Sequence, residues 1–242
     1  MDLGIEGKVA LVTASSKGLG RASAEALAAD GAKVVICARG GDALRETEKS
    51  IASLGAEVLA IESDVTQPDQ PTRLVAAAVE RFGGLDILVA NAGGPPPGRS
   101  LDVDDQQLLD AVNNNLLTSV RLVREAIPHM RASQWGRICL ITSSSIKQPI
   151  PTLTLSNTAR TGLWAWAKTL ANDVFDDGIT INSACPGLHD TDRVRALGSN
   201  VGGRIGDPAH FGQVVAFLCS EAASFISGTA VLVDGAMTAG LF

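Results

Sequence analysis

Short apolar runs and longer amphipathic stretches alternate along the chain. The first run, KVALVT at 8–13, is apolar through its middle and predicts a strand buried on both faces. A glycine-containing turn leads into a helix expected over 19–30, Gly31 closes it, and KVVICA at 33–38 predicts the second strand. The pattern then predicts a polar helix over 42–54, a strand over 57–61, a helix over 70–82 and a strand over 85–90. The segment NAGGPPPG at 91–98 is expected as a stiff loop, because three prolines exclude a helix. A long helix is expected over 104–130, followed by a strand over 137–142, a helix over 156–173 and a strand over 180–184. The polar, glycine-rich stretch 186–207 has no clear period and is expected to form a mobile lid. A helix over 208–220 and a strand over 230–233 complete the pattern.

Repeated βα alternation with strands apolar on both faces implies an α/β fold, a doubly wound parallel sheet with helices on both sides. No linker or repeat divides it, so residues 1–242 are expected to form a single domain. In such sheets ligands bind beyond the carboxyl ends of the strands, and the 186–207 stretch leaves one of those ends.

Composition narrows the function classes. With 45% hydrophobic and 19% charged residues, the chain carries enough apolar material for a substantial core. A net charge of −6 argues against a nucleic acid or an anionic membrane surface as partner. The opening MDLGIEGK lacks the pattern of an export signal, and no apolar run approaches the roughly 18 residues of a membrane span. A cytoplasmic location is therefore expected. Cys37, Cys139, Cys185 and Cys219 form no Cys-x-x-Cys pair and read as buried small hydrophobes, with no metal site expected. The chain contains no tyrosine.

The turn after the first strand carries the first chemistry. Gly18 and Gly20 let a backbone approach a ligand, and the following helix start presents free N–H groups to an anion. Ser15 and Ser16 add hydroxyl donors and Lys17 adds a positive charge, so a pyrophosphate is the natural occupant. At the end of the second strand, Ala38 and Arg39 stand where an acidic residue would accept bonds from a ribose 2′-hydroxyl. A cation there favours a 2′-phosphate, and so NADP(H) over NAD(H).

These segments, in this order, resemble the short-chain dehydrogenase/reductase family over nearly the whole chain, including members that reduce 3-oxoacyl chains. The family's Thr-Gly-x-x-x-Gly-x-Gly matches Thr13, Ala14, Ser15, Ser16, Lys17, Gly18, Leu19 and Gly20, with Ala14 in place of the first glycine. Asp64-Val65 matches the pair beside the adenine, Asn91-Ala92-Gly93 the turn near the adenosine, and Pro186-Gly187 with Thr191 the segment beside the nicotinamide. The ending GTAVLVDG at 228–235 resembles the family's closing strand and turn. The resemblance implies a Rossmann fold, a small-molecule substrate, and a homodimer or homotetramer paired through the long helix and the one after it.

The family's usual active site combines a Ser, a Tyr and a Lys with a helical Asn behind them. Asn115 and Ser143 fit two of those positions, but the Tyr and Lys positions hold Ser156 and Arg160. A serine hydroxyl is a far weaker acid than a phenol, and a guanidinium does not release its proton near neutrality. A guanidinium does grip a carboxylate, phosphate or oxyanion through two parallel hydrogen bonds, so an anionic substrate is included in the expectation. His189 and Lys147 are the substitute proton carriers to weigh, against roles as an exposed lid histidine and a solvated loop lysine. His129 and His210 read as structural, and Trp164 and Trp166 as core or subunit packing. Three functions are consistent with this pattern. They are an oxidoreductase with an altered site, a catalytically silent dinucleotide-binding protein, and a non-redox eliminase or isomerase.

Overall fold

The computed structural model describes residues 2–196 and 204–240. Seven strands form one sheet: β1 (Val9–Val12), β2 (Lys33–Ala38), β3 (Val58–Glu62), β4 (Ile87–Ala90), β5 (Gly136–Ile141), β6 (Ile179–Pro186) and β7 (Ala230–Val233). Their order is β3-β2-β1-β4-β5-β6-β7, and every neighbouring pair is parallel. The chain winds outward from β1 to β3, then returns to lay β4 on the other side of β1. The strand order therefore reverses between β1 and β4, where a crevice opens.

Helices cover both faces because both faces are apolar. Residues alternating along β1 show it: Val9 and Leu11 join one core, Ala10 and Val12 the other. The first core is closed by α3 (Gln70–Phe82), α5 (Thr118–Ser133) and α6 (Thr154–Val174). The second is closed by α1 (Gly18–Ala29), α2 (Gly41–Ser53) and α8 (Pro208–Leu218). The five interior strands β1, β2, β4, β5 and β6 are almost wholly buried, whereas the edge strands β3 and β7 are half-buried.

Two helix starts are set by local chemistry. Asp104 caps α4 (Asp105–Val112) in a reciprocal box, its carboxylate accepting from Gln107 N at 2.8 Å while Gln107 Oε1 accepts from Asp104 N at 3.0 Å. Asp207 caps α8 by accepting from Ala209 N at 2.8 Å, with Pro208 at the first helical position.

The long helix expected over 104–130 is three pieces. Between α4 and α5 lies one π-helical turn, Asn113–Leu117, whose wider ring is closed by Thr118 N donating to Asn113 O. Thr118 Oγ1 donates to the same carbonyl at 3.0 Å. Such turns accommodate one extra residue and concentrate at functional sites. All four cysteines are buried and free.

Candidate active site

The turn from β1 into α1 is built by hydrogen bonds that hold three strands together. Thr13 Oγ1 donates to Asn91 O at 2.7 Å and accepts from Asn91 N at 2.9 Å, tying β1 to β4. Asn91 Nδ2 donates to Ala14 O at 3.2 Å. Ser15 Oγ donates to Val12 O at 2.8 Å and accepts from Cys37 N at 3.1 Å, tying β1 to β2. Thr13 and Ser15 are fully buried. The expectation that Ser15 offers its hydroxyl to a pyrophosphate is thus corrected, and Thr13 likewise braces the turn from below. Gly20 is also interior: a Cβ there would lie 2.4 Å from Ala14 O and 2.7 Å from Asn91 Nδ2. Leu19 packs its side chain on the core beneath α1 and α8.

Above this brace the crevice between β1 and β4 opens into a cleft of about 580 Å³. Ser16, Lys17, Arg39, Asp64, Val65, Ala92 and Gly93 line it, with Asn115 on its wall. Lys17 is the residue before α1, in extended conformation, and no side chain caps the first turn, so the helix start keeps its N–H groups for a ligand. Gly18 follows with φ +55. Arg39 is exposed and has no carboxylate within 4.0 Å among the described residues. Asp64 Oδ1 accepts from Thr66 N at 3.1 Å and Thr66 Oγ1 at 2.8 Å, which fixes its carboxylate in a local turn.

Beyond β5 the second group of residues gathers. Ser143 Oγ accepts from Ser145 N at 3.1 Å. Asn115 belongs to the π-helical turn, is 4% exposed, and its Oδ1 has no hydrogen-bond partner. Ser156 and Arg160, one turn apart on α6, are both buried. Arg160 Nη1 donates to Ile141 O at 2.8 Å and Thr142 O at 2.6 Å, and Nη2 reaches Ala92 O at 3.4 Å. Its guanidinium therefore clamps the carboxyl ends of β4 and β5. Burial brings its pKa down to about 10, which keeps it charged at neutrality. The expectation that its full fork is open to an anion is corrected, because strand carbonyls take both Nη1 donors.

The lid expected over 186–207 is only partly within the described residues; 197–203 lie outside them. Its two ends pair, with Gly206 N donating to Leu188 O at 2.8 Å and Asp190 N to Gly206 O at 3.0 Å. His189 lies between them, 4% exposed, its ring edge-on to Phe211 with centroids 5.2 Å apart. Burial lowers its pKa, so it is neither the exposed lid histidine expected nor a ready proton donor. From here a short helix, α7 (Asp192–Ala196), reaches over the cleft. Thr191 stands against Gly18, Asp192 pairs with Lys17 at 3.6 Å, and Arg193 Nη2 donates to Pro95 O at 2.7 Å. Lys147 is half-buried rather than solvated, near enough to Cys185 to oppose the upward shift that burial imposes on that thiol.

A family model described as enoyl-(acyl carrier protein) reductase matches residues 13–238, the span from the Gly-rich turn to the loop after β7. The chain belongs to the short-chain dehydrogenase/reductase family. It is 33% identical over 246 residues to dehydrogenase/reductase SDR family member 4 of Bos taurus, covering 96% of this chain and 87% of that protein. It is 35% identical over 248 residues to the 3-oxoacyl-(acyl-carrier-protein) reductase FabG of Escherichia coli K12, covering 97% and 99%. Among solved structures, L-sorbose reductase from Gluconobacter frateurii, complexed with NADPH and L-sorbose, superposes with TM-score 0.93 at 34% identity over 100% of both chains. A 7α-hydroxysteroid dehydrogenase complexed with NADH superposes with TM-score 0.92 at 27% identity, covering 97% and 96%.

Of the residues that the motifs single out, the cleft brings together Ser16, Lys17, Arg39, Asp64, Val65, Ala92, Gly93 and Asn115. It leaves Thr13, Ser15 and Gly20 in the supporting layer. Sequence reasoning missed Arg193 and the carbonyl it meets at Pro95. The only signal was a cation two residues past Thr191, inside a stretch without period. Trp164 and Trp166 both pack half-buried against the core beneath α6.

Proposed function

We propose that this protein is an NADP(H)-dependent oxidoreductase with an altered active site, which reduces a carbonyl-like or imine-like small molecule. The observation that carries the proposal is the pair of cations at the nucleotide cleft, Lys17 at the start of α1 and Arg39 exposed beside it.

The cleft fits the cofactor. It lies at the strand-order reversal, its helix start is uncapped, Gly93 offers no side chain to block approach, and the buried Asn115 Oδ1 waits for a donor. NADPH, when bound, supplies hydride. Lys17, Gly18 and Ser16 would hold its pyrophosphate and Arg39 its 2′-phosphate. Asp64, Val65, Asn91, Ala92 and Gly93 would border the adenosine, and Pro186, Gly187 and Thr191 the nicotinamide. The comparison complex with NADPH supports this choice, and the hydroxysteroid dehydrogenase carries NADH on the same fold.

At the reacting end, Ser143 and Ser156 are the hydroxyls that would hold a substrate oxygen, and Asn115 stands behind them. The residues at the family's Tyr and Lys positions are Ser156 and Arg160, in a chain with no tyrosine. Arg160 would act by fixing the ends of β4 and β5, and water would deliver the proton. Catalysis then rests on positioning more than on acid strength. By resemblance the active form would be a dimer or tetramer.

The experiment is titration of the protein with NADPH and NADH, following emission of its three tryptophans with a calorimetric check. Tight NADPH binding with weak NADH binding is expected, and loss of NADPH absorbance should follow in a screen of carbonyls and imines. Failure to bind either nucleotide overturns the proposal. The commitment of Arg160 to strand carbonyls favours a second function, a silent NADP(H)-binding protein. NADPH binding with no turnover of any screened substrate, unchanged by Ser156→Tyr with Arg160→Lys, would decide for it.

A further inference from the structure

Two guanidiniums reach carbonyls of the loop that leaves β4, Arg160 at Ala92 and Arg193 at Pro95, and neither has a carboxylate partner among the described residues. Arg160 is 8% exposed, and its hydrogen bonds go to three neutral carbonyls, those of Ile141, Thr142 and Ala92. Arg193 comes over from α7 to the same loop. Its Nε and Nη2 lie 3.4 Å from where a side chain on Gly94 would begin, and Nη2 donates to Pro95 O. Neither arginine has a carboxylate within 4.0 Å among the described residues. They are near enough that the charge of Arg193 adds to burial in lowering the pKa of Arg160.

Acidic groups are close at hand on the lid, yet they are engaged elsewhere. Arg195 takes Asp190 at 2.8 Å and Asp192 at 3.1 Å, and Lys17 takes Asp192 at 3.6 Å. Of the cations on α7, Arg193, itself exposed, alone is left without a carboxylate, and its guanidinium turns to Pro95 O. A buried charge without a counter-charge is destabilising, and a second cation beside it adds repulsion. An anion between the two relieves both terms. A carboxylate would bring a full opposite charge and a second, parallel hydrogen bond, where Pro95 O offers Arg193 a single uncharged acceptor.

We propose that Arg193, set against Arg160, binds a carboxylate of the substrate, making this an oxidoreductase of short oxo-acids or their imines. The assignment rests on the oxidoreductase function proposed above. It deepens that function by naming the substrate class and the residue that selects it. The nucleotide phosphates have their own cations in Lys17 and Arg39, on the cleft wall nearer α1. The planar fork of arginine matches the two oxygens of a carboxylate, and Pro95 O is the partner that the substrate displaces.

Oxamate and its neutral isostere oxamide test the proposal, titrated calorimetrically into the protein with and without saturating NADPH. Oxamate should bind, and oxamide should bind about tenfold more weakly or worse. Arg193→Gln should lose about tenfold in oxamate affinity while its NADPH affinity and urea midpoint stay at the wild-type values. Equal binding of oxamate and oxamide, no binding of oxamate, or an unchanged R193Q would overturn the proposal. So would an R193Q variant weakened toward NADPH instead, since the guanidinium would then serve a nucleotide phosphate. If wild type binds no NADPH, the oxidoreductase function fails by itself, and oxamate titration of the free protein still decides the anion site.

Discussion

Thr13 and Asn91, 78 residues apart, are joined at both ends of one peptide unit's worth of polarity. The threonine hydroxyl donates to the asparagine carbonyl at 2.7 Å and accepts its N–H at 2.9 Å. One small side chain thereby closes the gap between the two strands that flank the cleft. Thr13→Val keeps the shape and removes both bonds, leaving a donor and an acceptor poorly satisfied. We expect a loss of about 1–3 kcal/mol, read as a lower urea midpoint at unchanged slope, with Thr13→Ser close to wild type.

Ala14 occupies a left-handed conformation, φ +47, at the position where the family motif has glycine. For a residue with a Cβ that conformation costs roughly 1–2 kcal/mol, and the entropy of glycine in the unfolded chain offsets part of the gain. Ala14→Gly should therefore stabilise by up to about 1 kcal/mol in thermal or urea unfolding. Gly20→Ala is the opposite case. Its new Cβ would lie 2.4 Å from Ala14 O, so a loss of about 1–3 kcal/mol and a weakened nucleotide site are expected.

Strands and helices were legible in the sequence because the sheet is buried on both sides and its apolar runs stand out between amphipathic helices. Most predicted elements agree with the structure to within a residue or two. The π-helical turn at Asn113–Leu117 was not legible, since one added residue hardly disturbs an apolar period read over a long window. The nucleotide motif was legible as a pattern but not as a division of labour. Whether Ser15 faces a ligand or its neighbours depends on Cys37 of the next strand, and Thr13 depends on Asn91. The burial of His189 depends on Phe211 of α8, which nothing local to the lid announces.

His189 should make the fold sensitive to mild acid. Its burial against Phe211 disfavours the imidazolium and lowers its pKa, while Asp207 pulls the other way more weakly. The unfolded chain then takes up this proton at a higher pH than the folded one does. The associated stability is fully present above the ordinary histidine value of about 6.5 and declines as pH falls through it toward the folded value. Urea midpoints at about pH 7.5 and about pH 5.5 should differ less in His189→Gln than in wild type. Equal differences would place the acid sensitivity elsewhere.

In the proposed function, Arg39 is the side chain expected to set nucleotide choice. Arg39→Ala should weaken NADPH about tenfold, the loss of one charge-assisted contact, and leave NADH within about twofold. Calorimetric titration of both nucleotides into both proteins measures the ratio directly. A parallel loss for the two nucleotides would show the arginine serving general electrostatic attraction.

The turn Asn113–Leu117 absorbs one extra residue, which in a continuous α-helix would carry everything after it round by about 100°. Chain length at this point therefore acts as a separate inherited variable from residue identity. Deleting one residue there would let a continuous α-helix form, satisfying every backbone bond and keeping the buried face of α5 on the core, while the bulge itself disappears. The protein would be expected to fold and yet lose the wall on which Asn115 stands. Point substitutions that spare Asn115 would leave that wall standing.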